Sequence, residues 1–211
     1  MISVKLLETN KQIQNKIHKA LVSDVNVVLQ NSKEKIYKKC KRLVSGWIMS
    51  QPEILDLQLN APNSLSGQFG LYPGQGDSAI QQIINSIESS VTVQLKKLDL
   101  KFNGGLEVSF QPSDFSNLLS LNIGHVLYES GDLHWLDWLL NQGDRIIVVG
   151  YSYNAGTGLG RSGYGTMQEG GYFRVPPQFS GTSENNFITR ALTGTAQEKE
   201  IAKIFQDIIG G

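Results

Sequence analysis

Apolar residues recur at helical spacing from Leu6 to Ile48: Ile13, Ile17, Leu21, Val25, Val28 and Leu29, then Ile36, Cys40, Leu43, Val44, Trp47 and Ile48. Steps of three and four keep side chains on one side of a helix that turns about 100° per residue, so the pattern predicts one long helix or two. Asn31-Ser32 is the expected interruption, because Ser32 can cap a second helix with Glu34 in its first turn. Ser50 and Glu53 bracket Pro52 in the order S-x-x-E, which predicts a short capped helix. Residues 59–77, LNAPNSLSGQFGLYPGQGD, are dense in Gly, Pro, Ser and Asn and predict a loop.

Beyond the loop, Asp77 can cap a helix whose Ile80, Ile83, Ile84 and Ile87 form one stripe. The period then changes to two. Val91, Val93 and Leu95 alternate with polar residues, Lys96-Lys97 shifts the phase, and Leu98, Leu100 and Phe102 resume it, as a strand with a bulge would. Asn103-Gly104-Gly105 turns into Leu106, Val108 and Phe110, completing a predicted hairpin. Asp132 is expected to cap the apolar helix HWLDWLL, closed by Gly143, with RIIVVGYSY as a strand after it. Residues 150–171 predict a Gly-rich loop, Tyr172 to Val175 a short strand, and Thr195 with Glu198 a capping box that opens a last helix. The expected class is α+β: long N-terminal helices and a C-terminal helix around a small, mostly antiparallel sheet with long Gly-rich loops. Its expected parts are a basic helical region (1–58), a loop (59–76) and an α+β body (77–211), all within one domain.

Composition adjusts this picture. The 22 glycines among 211 residues favour a folded chain with long loops, and 40% apolar residues suffice for a core. No apolar run reaches the roughly 20 residues of a membrane span, and the N-terminal segment lacks a signal-peptide core, so no membrane contact and synthesis in the cytoplasm are expected. Cys40 is the sole cysteine, which leaves no internal disulfide and no multi-thiolate metal cluster. Net charge is zero, but residues 1–45 carry ten Lys or Arg against three acids, a balance of +7, and the remainder carries −7. A solvated face, an acidic neighbouring subunit and nonspecific DNA contact through the basic N-terminal helix are the readings of that stripe; the lysines lack the interleaved aromatics of a specific nucleic-acid binder.

Candidate chemistry is sparse. In GTGLGRSGYG, residues 156–165, no lysine follows the glycines as a P-loop requires, and Ser162 is not flanked as G-x-S-x-G. The stretch predicts a flexible loop that lies close to a partner or binds an anion through backbone amides and Arg161. His18, His125 and His134 stand at no metal-ligand spacing and read as packed or surface residues. Asp132 reads as a cap, Asp137 as a solvent-facing residue between two buried tryptophans, and Asp144 as the start of a strand. Lysines beside Cys40 would activate an exposed thiol, but its register with Ile36, Leu43 and Val44 predicts packing. No catalytic residue, cofactor site or metal site is assigned.

The stretch GGYFRVPPQFSGTSENNFITRAL, residues 170–192, shapes and anchors a chain. Val175-Pro176-Pro177 imposes an extended path, and Ser183, Asn185 or Asn186 can cap the helix FITRAL. Arg174 and Arg190 can pair with acids of the body or of a neighbour. The candidate interface residues are Arg161, Tyr164, Arg174, Pro176, Pro177, Phe179 and Arg190.

WLDWLLNQGDRIIVVGY followed by GRSGYGTMQEGGYFRVPPQFSGTSENNFITRAL resembles the C-terminal half of small virion-morphogenesis proteins of tailed bacteriophages, particularly contractile-tailed ones, related to the tail-completion or neck family. The resemblance covers residues 132–192, extends to the N-terminal helices only as a shape and omits residues 59–77. It implies a long N-terminal helix, a small sheet and a closing aromatic-x-x-Arg-Ala-Leu helix, here Phe187, Arg190, Ala191 and Leu192. It also implies a noncatalytic, cofactor-free ring at the head-tail junction or tail end of the virion, sixfold or twelvefold, with other phage head-tail or tail proteins as partners; the +7/−7 charge split suits head-to-tail packing of basic and acidic faces between neighbouring subunits. Two other readings stand beside it: a baseplate or other tail-end protein, and a small cell-wall hydrolase using Glu169, Glu184 or the Asp132–Asp144 cluster.

Overall fold

The computed structural model describes residues 7–128, 131–156, 158 and 160–210. The class is α+β as expected, with helices at both ends, but the small sheet resolves into three separate two-stranded antiparallel ribbons. Leu6, where the helical pattern starts, lies outside the described residues.

Helix α1 runs unbroken from Asn10 to Met49, 40 residues and so about 60 Å long. Ser32 does not cap a second helix. It is buried within α1 on the line of Leu29, Ile36, Cys40 and Val44, so continuing the helix keeps that line packed where a break would splay it. Burial pushes the Cys40 thiol up, which makes it a packed residue rather than an activated nucleophile. Helix α2, Pro52–Gln58, starts with Gln51 at its N-cap and no side-chain cap; Glu53 is turned inward instead of closing a capping box.

Residues 59–76 are not an open loop. Helix α3, Leu65–Gln68, lies within them, and Leu65, Phe69 and Leu71 are fully buried. The Asp56 carboxylate accepts the Leu65 amide at 2.6 Å and Ser64 caps the turn. Gly67 explains the glycine content here, since a Cβ at this position would come 2.7 Å from the Ala61 carbonyl and 3.1 Å from the Tyr153 hydroxyl. Helix α4, Gln75–Ser90, buries Ile80, Ile83, Ile84 and Ile87 as predicted, though its N-cap is Gly74 and Asp77 lies in its first turn.

Strands β1 (Thr92–Lys96) and β2 (Gly105–Ser109) pair in the predicted hairpin, with Lys96 opposite Gly105. Leu98, Leu100 and Phe102 do not extend it. The Asp99 carboxylate accepts the Lys101 and Asn103 amides at 2.7 and 2.9 Å, and this local turn outcompetes strand pairing. Helix α5 spans Ser116–Leu119, and β3 (Val126–Tyr128) pairs with β4 (Gly131–Leu133). Asp132 therefore sits on a strand, and the N-cap of α6 (Trp135–Leu140) is His134.

The predicted Gly-rich loop 150–171 is mostly a β-ribbon, β5 (Val148–Ala155) paired with β6 (Gly165–Phe173). Gly150, at φ +86°, marks a register shift between Val149 and Tyr151, which brings Val148, Tyr151 and Tyr153 to one face. Helix α7, Phe187–Leu192, is the predicted FITRAL helix, and α8 spans Thr195–Ile209.

The chain divides into two compact units. The first holds α1 through Cys40, residues 92–109 and residues 200–211. Its core includes Val22, Leu29, Ile36, Cys40, Val93 and Ile204, and the Asn26 side chain clamps Leu98 by accepting its amide at 2.8 Å and donating to its carbonyl at 3.3 Å. The second unit holds residues 41–91 and 110–199, with a core built around Phe69, Ile80, Ile83, Trp135, Leu139 and Phe187. Trp135 stacks on Phe69 at 5.7 Å between centroids and donates its indole N–H to the Ile123 carbonyl at 2.9 Å.

Candidate functional site

Within the second unit, α3, the β3–β4 ribbon and the β5–β6 ribbon converge on a half-open cavity of about 760 Å³. Its size falls in the range of small-molecule pockets. Gly67, Gln68 and Gly70 come from α3 and its exit, Tyr128, Asp132 and Leu133 from the second ribbon, and Tyr151, Tyr153, Met167 and Phe173 from the third. The register shift at Gly150 makes this possible, because without it Val148 and Tyr151 would face opposite ways.

Two tyrosines tie the walls together. The Tyr128 hydroxyl donates to the Phe69 carbonyl at 2.9 Å and the Tyr153 hydroxyl to the Pro62 carbonyl at 2.7 Å. Desolvation pushes both phenols up, with the Arg161 guanidinium pulling the other way on Tyr128. Arg161 lies 4.4 Å over the Tyr72 ring and donates Nη1 to the Leu127 carbonyl at 2.7 Å. Its Nε is buried without a hydrogen-bond partner among the described residues. The buried Ser162 hydroxyl donates to the Gly67 carbonyl at 3.3 Å and accepts the Tyr164 amide at 3.2 Å. These contacts dock the 160–165 segment against α3, so the segment expected to be a flexible loop is anchored where it is described; Thr157 and Leu159 lie outside the described residues.

A histidine pair stands beside the cavity wall. The His125 and His134 rings stack at 3.8 Å, 17° from parallel, and His125 Nδ1 is 2.7 Å from Asp132 Oδ2. At this distance the carboxylate accepts a proton held on His125 Nδ1. His134 Nε2 is buried with no hydrogen-bond partner among the described residues. Burial, then the neighbouring His125, holds the His134 imidazole below its ordinary range, with Asp137 and Asp132 opposing.

The sequence-derived candidates scatter. Arg161 lines the cavity, and Tyr164 lies half-buried in the adjoining turn. Arg174 pairs with Asp144, both oxygens at 2.6 Å, and Arg190 pairs with Glu53, so both arginines find acids within the chain. Pro176 and Phe179 are half-buried around a turn in which the Phe179 amide reaches the Pro176 carbonyl at 2.8 Å, and Pro177 is exposed. Asp137 accepts from the Asn141 and Gln142 side chains. Tyr128, Tyr151, Tyr153 and the His125–Asp132–His134 cluster went unseen in the sequence, although the alternation in YSY already placed Tyr151 and Tyr153 on one side of a strand. No group of three or more His, Cys, Asp or Glu capable of holding a metal occurs among the described residues, and no described helix is long and apolar enough to cross a membrane. No family model, curated protein or solved structure matches this chain.

Proposed function

We propose that this chain is a noncatalytic structural virion protein of a tailed phage, a neck or tail-completion component that joins head to tail as part of a sixfold or twelvefold ring. The location rests on the resemblance of residues 132–192 described above. The assembly role rests on one structural observation, the β5–β6 ribbon. A two-stranded ribbon is marginally stable alone and leaves its outer edges unpaired. Here Val149 is 78% exposed, and Tyr151, Met167 and Tyr172 are also exposed. Val149 and Tyr172 are direct cross-strand partners, so they form one apolar patch. Such a ribbon gains most when a neighbouring molecule covers its edge and patch.

Immunogold labelling of purified virions with antibody against the chain tests the location. Gold at the collar is the expected result. Gold at the distal tip would move the protein to the baseplate, and intact particles without gold, while disrupted particles also fail to react, would remove it from the virion.

A further inference from the structure

The first three-quarters of α1 carry two lines of side chains. One is buried: Val22, Leu29, Ile36 and Cys40. About 100° further round the helix runs a second line, Ile17, Leu21, Asp24, Val28, Asn31, Lys35 and Lys38, whose alternating spacings of four and three residues are those of a coiled-coil seam. Ile17, Leu21 and Val28 are 51%, 47% and 43% exposed, and both lysines are exposed. The line is mainly apolar toward the N-terminus, where Asp24 interrupts it, and basic toward Cys40, where Lys38 also pairs with Glu34 and Lys39 widens the basic end.

We infer that this outer seam is the docking surface for a second copy of the chain, whose acidic second unit it contacts in a head-to-tail arrangement. Charge complementarity selects the occupant. The first unit carries twelve Lys or Arg against seven acids, net +5, and the second carries seven against twelve, net −5. A partner must also cover Ile17, Leu21 and Val28, and the second unit displays exposed apolar residues such as Leu59, Val149 and Tyr172 alongside its acid excess. A nucleic-acid backbone would satisfy the lysines and leave the apolar half uncovered. Two different surfaces in contact form a heterologous interface, which closes into a ring when its rotation permits. Opposite charges at such a contact set orientation and association rate, and a positive seam repels its own copy, which disfavours a symmetric helix pair. The inference rests on the assembly reading above and names the partner and surface within it.

Sedimentation velocity on the full chain, at about 50 and about 500 mM salt, tests it. The expected result is a species heavier than the monomer that loosens at the higher salt. Leu21→Glu and the pair Lys35→Glu with Lys38→Glu should each weaken association at least about tenfold with helix content unchanged by circular dichroism. All these positions are exposed, so the variants should fold. Variants that assemble like the parent would overturn the seam while virion labelling still upheld the structural role. A parent chain that stays monomeric and binds duplex DNA through these lysines would overturn the second copy as occupant in favour of nucleic acid. Collar labelling judges the virion role separately in either case.

Discussion

Glu53 is 1% exposed, and the guanidinium of Arg190 is its ion-pair partner in the structure. Its second oxygen has no hydrogen-bond partner among the described residues, so the pair compensates the buried charge incompletely. Removing one member strands the other. Arg190→Ala should therefore lower unfolding free energy in urea by about 3 kcal/mol or more, whereas replacing both residues with leucine should cost much less. Equal costs for the two would show that Arg190 acts through packing alone. At the histidine pair the sign runs with acid. His134 is held below its ordinary range, so its contribution to stability is fully present above about pH 6.5 and is lost as pH falls. The thermal midpoint should drop between pH 7 and pH 5, and His134→Phe, which keeps a ring against His125, should flatten that slope. An unchanged slope would mean that other groups carry the acid sensitivity. At this scale Arg190 and Arg174 were recognisable as pairing residues, but their partners lie 137 and 30 positions away and no local pattern names them.

The elements most legible in the sequence are those whose signals are local. Helix α7 is one: the Asn186 side chain accepts the Ile188 and Thr189 amides at 2.9 and 3.0 Å, and Thr189 Oγ1 in turn accepts the Asn186 amide at 2.8 Å. Asn186 also donates Nδ2 to the Leu140 and Thr182 carbonyls, tying α7 to the end of α6. Asn186→Ala should cost about 2 kcal/mol or more, and Asn186→Asp, which keeps the cap and loses the donors, an intermediate amount. If the two variants lose equally in chemical denaturation, the cap contributes nothing and the tie to α6 everything. Elements were missed where composition misled. Glycines in 59–77 and 150–171 suggested open loops, yet at Gly67 the missing side chain allows close packing and at Gly150 it permits the positive φ of a register shift. Leu98, Leu100 and Phe102 erred in the other direction, where alternation suggested a strand but the Asp99 carboxylate had already claimed the backbone.

Across the whole molecule, the split between residues 1–45 and the remainder persists as +5 against −5 between the two units; residues 92–109 and 200–211, which join the start of α1, carry four Lys or Arg against four acids and add no net charge. The basic end of the outer seam comes from α1 itself, through Lys35 and Lys38. Linear order alone determined the α+β class, the helical character of the N-terminal region, α4, α7 and the first hairpin, because caps, turns and periodicity act over a few residues. Tertiary structure alone decided that α1 is continuous, that residues 59–76 belong to the core, that β5 and β6 form a ribbon, and that His125, Asp132 and His134 meet. Each of those depends on burial or on a contact between distant residues, and the free energy of such a contact is set by what packs against it rather than by its neighbours in the chain.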